Sequence, residues 1–553
     1  MQHAVPLLTT DMIFQTTDIP RLLPELLLIV LALMVLASDV LTRWPDTGDG
    51  QVLRTHEAAA LVRLGLWMTL VMTLIQSRLL FTVPAPNGTP GLDIVLQMLN
   101  NLQAAGPNDQ AIMGVFATDA FTYVARVLFI TIALIVSYLL PDNEGMAHPA
   151  ELYSLMLFAT VGMCIMAAAQ ELILAYIALE LSSISLYVLA GYLRNDERSS
   201  EAGLKYFLFG AISSGILLYG MSLAYGLSAS NAAAGNQSMV ATLFTAVSQL
   251  VAPGQAASPV LLLAVMLILA GLAYKIAAVP FYSWAPDVYQ GAPASVTVLI
   301  ATASKVAGFF LIYRLLTVAF PNAAGSAAPE QFGGWAGIIA GLALLTLLLG
   351  NIAALPQTNA RRMLAYSGIG HTGFVLLALL LAGSRQSGDS QMASNALLYY
   401  LISYAFTGLV AFGALSIVNE QLGNDDFESL RGLWKRSPLL TGLLTISLLS
   451  LAGIPPLAGF WAKLMVFLVA YHSGAIWLLA AALAMTVVGV AYYFRLIRLL
   501  WTGEPSEQGS ITVRRSHTAT LSVATALLLL LSLLPGIVLS VIEHMSQGVA
   551  RIP

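Results

Sequence analysis

The chain has 553 residues, 58% hydrophobic and 9% charged, with a formal net charge of -4 and a mean hydropathy of +0.82. A soluble domain carries about 25% charged residues, so this composition excludes a soluble globular protein and requires a bilayer to solvate it. The small net charge points to neither nucleic acid nor an acidic partner, and the single cysteine, Cys164, excludes an internal disulfide or a centre built on several thiolates.

Fourteen apolar segments of spanning length are predicted, over 22–41, 58–83, 118–140, 150–169, 171–193, 202–228, 259–290, 294–320, 335–355, 362–383, 393–419, 438–472, 475–501 and 516–541. No small-residue cleavage site follows the first, so it reads as a membrane helix after a short polar lead. A long Pro/Gly/Asn-rich loop at 84–117 has room for a short surface helix at 92–103. Its Asn87-Gly88-Thr89 triplet is a chance-level glycosylation match. The seventh and twelfth segments are too long for simple spans and carry prolines mid-way: Pro280 in KIAAVPFYSWAPD, and Pro455 and Pro456 in LAGIPPLAGFWAK. Proline removes a backbone donor and breaks a helix; within a membrane such a break is tolerated where it faces protein or a wet cavity.

Loop charges support this count. With both termini on one side, one set of loops holds Arg43, Arg54, Arg194, Arg198, Arg361, Arg362, Arg431, Lys435, Arg436, Arg498, Arg514 and Arg515. The other holds Arg21, Arg78, Arg385 and Arg551. The asymmetry makes the first set cytoplasmic and places both termini outside. An internal repeat is also visible: AGLKYFLFGAISSG at 202–215 resembles ALLYYLISYAFTG at 396–408, and a proline-broken segment follows each. Segments 4 to 8 therefore recur as segments 9 to 13. Five is odd, so the two units insert in opposite orientation, as in transporters with functional groups at broken helices near the midplane. The expected fold is an all-α polytopic membrane protein with about 14 transmembrane helices and two inverted five-helix repeats, broken at helices 7 and 12. Its parts are 1–148 (lead and helices 1–3), 149–320 (first repeat), 321–502 (second repeat) and 503–553 (helix 14).

Of five lysines, only Lys435 lies in a polar loop; Lys205, Lys275, Lys305 and Lys463 lie within apolar segments. An ammonium in hydrocarbon is costly unless paired, hydrated or neutralised, so four of them indicate a line of proton-titratable groups. Glu180, in LILAYIALELSSISLYVLAGY, lies deep in the fifth segment. It either pairs with Lys275, making a switch of two residues and a distance, or is buried neutral against Ser182 or Ser183. Lys275 stands five residues before Pro280, where freed carbonyls can hold water; a static ion pair is the other reading. Lys305 lies mid-span in ATASKVAGFF. Lys463 stands seven residues after Pro456, and Lys205, four after Glu201, is near enough to a helix end to snorkel.

His371 in GIGHTGF is either a bonded core residue or a carrier between the lysine clusters, since its ordinary titration range spans neutral pH. The surrounding G-x-G-x-x-G match is no nucleotide site, because no strand precedes it. Gly333, Gly337 and Gly341 read as helix-packing glycines. Asp119 and Arg126, two turns apart near a helix entry, read as structural or interface groups.

With these residues assembled, the chain resembles the antiporter-like membrane subunits of respiratory complex I, NADH-quinone oxidoreductase. The resemblance runs through all fourteen segments and is most specific in LRNDERSSEAGLKYFLFGAISSGILLYG, KIAAVPFYSWAPDVYQGAP and LAGIPPLAGFWAKLMVF. The resemblance is to the N type; lysine in the twelfth segment disfavours the M type, and the absence of a long lateral helix disfavours the L type. The resemblance implies a proton channel in which Glu180, Lys205, Lys275, Lys305 and Lys463 match the family's buried residues, coupled to quinone reduction in other subunits. It implies no cofactor in this chain, with quinone, FMN and iron–sulfur clusters on partner subunits. It also implies the other membrane-arm subunits as partners, no nucleic acid, and a bacterial inner (cell) membrane location. A cation/proton antiporter subunit of the Mrp type shares the fold and is the alternative. An organic-solute transporter is disfavoured because the charges form a spread series rather than a pocket.

Overall fold

The structure is a computed structural model; it describes residues 16–42, 48–77, 108–140, 148–232, 240–252, 255–327, 333–383, 390–504, 511 and 513–549. The helices, in chain order, are α1 Leu23–Leu41, α2 Gly48–Ser77, α3 Ala120–Leu139, α4 Pro149–Ala168, α5 Leu172–Ala190 and α6 Glu197–Asn231. There follow α7 Pro259–Lys275, α8 Trp284–Gly291, α9 Ala294–Ala319, α10 Gly334–Ala354, α11 Ala360–Gly383 and α12 Ser390–Leu422. The last are α13 Pro438–Ala452, α14 Ala458–His472, α15 Ile476–Trp501, α16 Arg515–Leu533 and α17 Pro535–Val549.

Twelve of the described helices are long and apolar enough to cross a membrane. The two other expected segments are the proline-broken ones, each divided in two: α7 with α8, and α13 with α14. The second segment starts ten residues earlier than its hydropathy suggests, at Gly48, because Arg54 is neutralised by Asp39 of α1 and so tolerates a helical position. The fourteenth does not run through to residue 541. It ends at Leu533 and resumes as α17, since Pro535 cannot donate the next helical bond.

The loop contacts fall into the two sets that the charges suggest. On one side, Gln170 N donates to Val115 O at 2.8 Å, Phe244 N to Gln170 O at 2.9 Å, and Asn322 Nδ2 to Val251 O at 2.8 Å. On the other, Arg361 bonds Ala292 O at 3.1 Å, Ala360 N bonds Asp425 O at 3.0 Å, and Gly432 N bonds Leu499 O at 3.0 Å. This alternation holds only if each broken pair carries the chain across once. The two breaks are therefore five crossings apart and run in opposite senses, the geometry of an inverted repeat.

Part of the 84–117 loop is a small antiparallel hairpin, β1 Asn108–Ile112 with β2 Phe116–Thr118, whose Phe116 bridges Ala169 between α4 and α5. Hydropathy gives no hint of it. The expected surface helix at 92–103 and the Asn87 triplet lie outside the described residues.

Helices α3, α9, α11 and α12 form the inner layer, while α1, α2, α6, α15 and α16 leave an apolar face outward. A close backbone approach joins α10 to α11. A methyl group at Gly350 would lie 2.3 Å from Gly370 N, and one at Gly373 would lie 2.7 Å from Leu347 N. Of the glycines singled out by spacing, Gly341 meets nothing within 4 Å, whereas Gly350 and Gly373 pack closely further along the same pair of helices.

Two buried ion pairs fix α3. Asp119 caps its start by accepting from Thr122 N at 2.9 Å and takes both Nη atoms of Arg314 at 2.9 Å. Arg126 instead donates to Glu25 of α1 at 2.7 and 2.8 Å. Asp119 and Arg126, expected as structural or interface groups, each anchor a separate buried ion pair.

Candidate functional site

Both breaks are built the same way. α7 ends in a Schellman turn: Ala277 N donates to Tyr274 O at 2.9 Å, Ala278 N to Ala273 O at 2.8 Å, and Ala277 has φ +55°. α13 repeats this with Gly453 N to Ser450 O at 3.0 Å, Ile454 N to Leu449 O at 3.1 Å, and Gly453 at φ +84°. In each, the third residue after the positive-φ position is the proline that follows a cis peptide, Pro280 after Val279 and Pro456 after Pro455. The turn satisfies two carbonyls of the last helical turn and leaves the final ones facing the protein interior.

At the second break, the free carbonyls are taken by a lysine. Lys463, from α14, donates to Leu451 O at 2.9 Å and to Ala452 O at 3.1 Å, at the negative end of the α13 dipole. Its ammonium lies 5.2 Å from the centre of the Phe374 ring. At the first break the corresponding carbonyl, Ile276 O, accepts from Thr372 Oγ1 at 2.9 Å, and Val279 N donates to Thr346 Oγ1 at 3.0 Å.

Lys275, the last residue of α7, turns instead toward α5. Its ammonium donates to Ser183 Oγ at 2.9 Å and reaches Ser182 Oγ at 3.5 Å. Glu180 lies one turn earlier on α5 but accepts from Ser214 Oγ of α6. No ion pair within 4 Å joins it to Lys275, so the pair is in a separated arrangement, with serines holding each member.

Lys305 lies on α9 directly after a π-helical turn over Ile300–Ser304, a local widening that sequence does not signal. It donates to Gly368 O at 3.0 Å, between the rings of Tyr289 and Tyr404. A methyl group at Gly368 would lie 3.1 Å from the ammonium, so the glycine leaves it room. His371, three residues on, places Nδ1 2.7 Å from Tyr400 OH and Nε2 3.1 Å from Tyr493 OH; Tyr493 also bonds Ser367. A neutral imidazole has one donor and one acceptor nitrogen, so the two tyrosines face it in opposite roles.

Lys275, Lys305 and Lys463 are all buried, and none is ion-paired among the described residues. Helix α11 reaches all three locations: Thr372 at the Lys275 break, Gly368 at Lys305, and Phe374 beneath Lys463. His371 sits among them. Lys205 stands apart. Half exposed near the start of α6, it pairs with Glu201 at 2.7 Å and with Asp287 of α8 at 2.6 Å, and Asp287 also takes Arg362 at 2.6 Å. Sequence reasoning misses Ser214, Thr346, Thr372, Tyr400 and Tyr493. Their only signal is a hydroxyl within an apolar segment, which is too common to single them out. Among the described residues no group of three His, Cys, Asp or Glu side chains is placed to hold a metal ion.

A family model described as "NADH:quinone oxidoreductase/Mrp antiporter, TM" matches residues 169–489, which include both breaks and all four intramembrane lysines. The chain is 52% identical to NADH-quinone oxidoreductase subunit N 1 of Roseiflexus castenholzii, over 98% of this chain and 100% of that one. The chain belongs to the NADH-quinone oxidoreductase subunit N family. A second subunit N, from Herpetosiphon aurantiacus, is 44% identical over 97% of this chain and 99% of its own. Among solved structures, a chain of respiratory complex I from Thermus thermophilus with bound aureothin has a TM-score of 0.70 and 31% identity. It covers 94% of this chain and 100% of that one. A chain of the Mrp complex from Dietzia sp. aligns with TM-score 0.74 but 18% identity, a likeness of fold alone. This member of the subunit N family is an integral membrane protein whose helix α11 passes both breaks and the three buried lysines.

Proposed function

We propose that this chain is the proton-translocating membrane subunit of an NADH-quinone oxidoreductase, coupled to quinone reduction in other subunits. The observation that carries the reading is the set of three buried lysines, each held by uncharged oxygens. A lysine paired to a carboxylate can give up its proton only by leaving that carboxylate unpaired. One held by serines or carbonyls leaves no buried charge behind, so it can load and unload. Glu180 supplies the bias: moving it toward Lys275 holds the ammonium, and withdrawing it releases the proton. The proton passes from Lys275 to Lys305, His371 and Lys463 through bound water, then leaves to the outside. Lys205 acts at the inner end through Asp287. Pro280, Pro455 and Pro456 keep the breaks open. Moving one charge against the membrane potential costs about 2.3 kcal/mol per 100 mV, within the range that separating a carboxylate from an ammonium can supply.

In this reading residues 149–320 and 321–502 are the two inverted units, with 1–148 and 503–553 packed around them. The chain holds no redox centre of its own; FMN, iron–sulfur clusters and quinone sit on partner subunits of the membrane-arm assembly. It lies in a bacterial inner membrane with both termini outside.

The test is Lys275→Ala in inside-out membrane vesicles, following NADH oxidation and NADH-driven acidification together. Loss of both with the complex still assembled is expected. Unchanged values for both would overturn the assignment.

A further inference from the structure

The two breaks differ in what holds their last carbonyls. In the second, the last carbonyls of α13 are taken by the Lys463 ammonium. In the first, the equivalent carbonyl, Ile276 O beside Lys275, is taken by a neutral hydroxyl, Thr372 Oγ1, at 2.9 Å. The same hydroxyl lies 3.0 Å from Gly368 O, and Gly368 O is the acceptor for Lys305 at 3.0 Å. One O–H therefore stands between two carbonyls, one at the Lys275 break and the other under the Lys305 ammonium. A hydroxyl carries one proton and makes one strong donor bond at a time.

Resting on the function proposed for the buried lysines, we infer that Thr372 is a positioning residue that ties the first helix break to the proton occupancy of Lys305. When Lys305 is charged, its ammonium occupies Gly368 O and disfavours a second donor there, so Thr372 points to Ile276 O and clamps the break. When Lys305 is neutral, Gly368 O takes the Thr372 hydroxyl. Ile276 O then becomes available to water or to the Lys275 ammonium, one residue away. Emptying Lys305 thus opens an acceptor beside the residue that refills it. The competing role is plain packing: threonine in a helix often bonds back to the carbonyl four residues earlier. That role accounts for the Gly368 contact but not for the bond across to Ile276.

The experiment measures NADH oxidation, NADH-driven acidification and the ratio of acidification to oxidation in inside-out vesicles for wild type, Thr372→Val, Thr372→Ala, Thr372→Ser and, as a control read on both rates, Lys275→Ala. Valine and alanine remove the hydroxyl; serine keeps it. The ratio is expected to fall by about 3- to 10-fold in the valine and alanine variants, as loss of one hydrogen bond implies. It is expected to return close to wild type with serine. A wild-type ratio in assembled valine or alanine variants overturns the inference. So does absence of the subunit from the membrane in both, since a hydroxyl needed for assembly is a packing group. No effect of Lys275→Ala overturns the proposed function itself, whereas its loss of pumping beside an unaltered Thr372→Val removes only the role of Thr372.

Discussion

Gly453 and Ala277 occupy the same place in two different helices. Each is the left-handed residue of the turn that closes a half-helix, each has positive φ, +84° and +55°, and each is followed at the third position by the proline of a cis peptide. Only the second break uses glycine. A side chain costs roughly 1–2 kcal/mol in this conformation, and at Gly453 a methyl group would also lie 3.0 Å from Lys463 Cδ. Gly453→Ala is therefore expected to destabilise by about 1–2 kcal/mol and to weaken pumping through displaced Lys463. Ala277→Gly should stay within about 0.5 kcal/mol of neutral, relief of strain being offset by a freer unfolded chain. Thermal midpoints of the purified complex compare the two.

Lys463 has two duties that substitutions can separate. It satisfies two carbonyls and, in our reading, releases a proton. Arginine can keep the first but cannot give up its proton. Lys463→Arg should assemble yet lose coupled acidification by about tenfold or more. Lys463→Ala should lose acidification and also assemble less, with Leu451 O and Ala452 O left without a donor. Subunit content by immunoblot and acidification rates distinguish these outcomes; arginine pumping at the wild-type rate would remove Lys463 from the relay.

Gly368→Ala tests Lys305 without touching it. The added methyl would stand 3.1 Å from Lys305 Nζ and 2.9 Å from Tyr404 OH, so the ammonium must shift. Reduced acidification, by several-fold, with normal assembly is expected. Normal pumping would mean that the Gly368 carbonyl does not set the position of Lys305.

Lys205 is expected to matter less for stability than its intramembrane placement suggests. Its pairs with Glu201 and Asp287 are half exposed, and such pairs contribute about 0.2–1 kcal/mol. Lys205→Ala should leave the thermal midpoint almost unchanged. By contrast, Asp119→Ala strands the fully buried Arg314 guanidinium. It should cost about 3–5 kcal/mol, and the chain should disappear from assembled complex on native gels.

Lysine in an apolar segment and proline in an over-long one are strong sequence signals, because hydrocarbon penalises both. All three deep lysines and both breaks lie where those residues place them. Their partners are not legible in the same way. Nothing in the spacing of Glu180 and Lys275 says that Ser214 holds one and Ser183 the other, since a hydroxyl on a neighbouring helix leaves no periodic trace. The hairpin at Asn108–Thr118 escapes sequence reasoning for a related reason. Its strands are short and lack alternation, and they are specified by the α4–α5 connection they bridge. The earlier start of α2 is hidden because a charge paired to another helix looks, in sequence, like a charge in water.

Helix α11 has a consequence for how the lysines respond to one another. It is locked to α10 by direct backbone contact at Gly350, Gly370 and Gly373, and it touches the surroundings of Lys275, Lys305 and Lys463 within two turns. In the function we propose, any coupling that α11 carries between these lysines is reciprocal. Whatever free energy a proton at Lys463 adds to or removes from binding at Lys275, a proton at Lys275 must return in equal measure at Lys463.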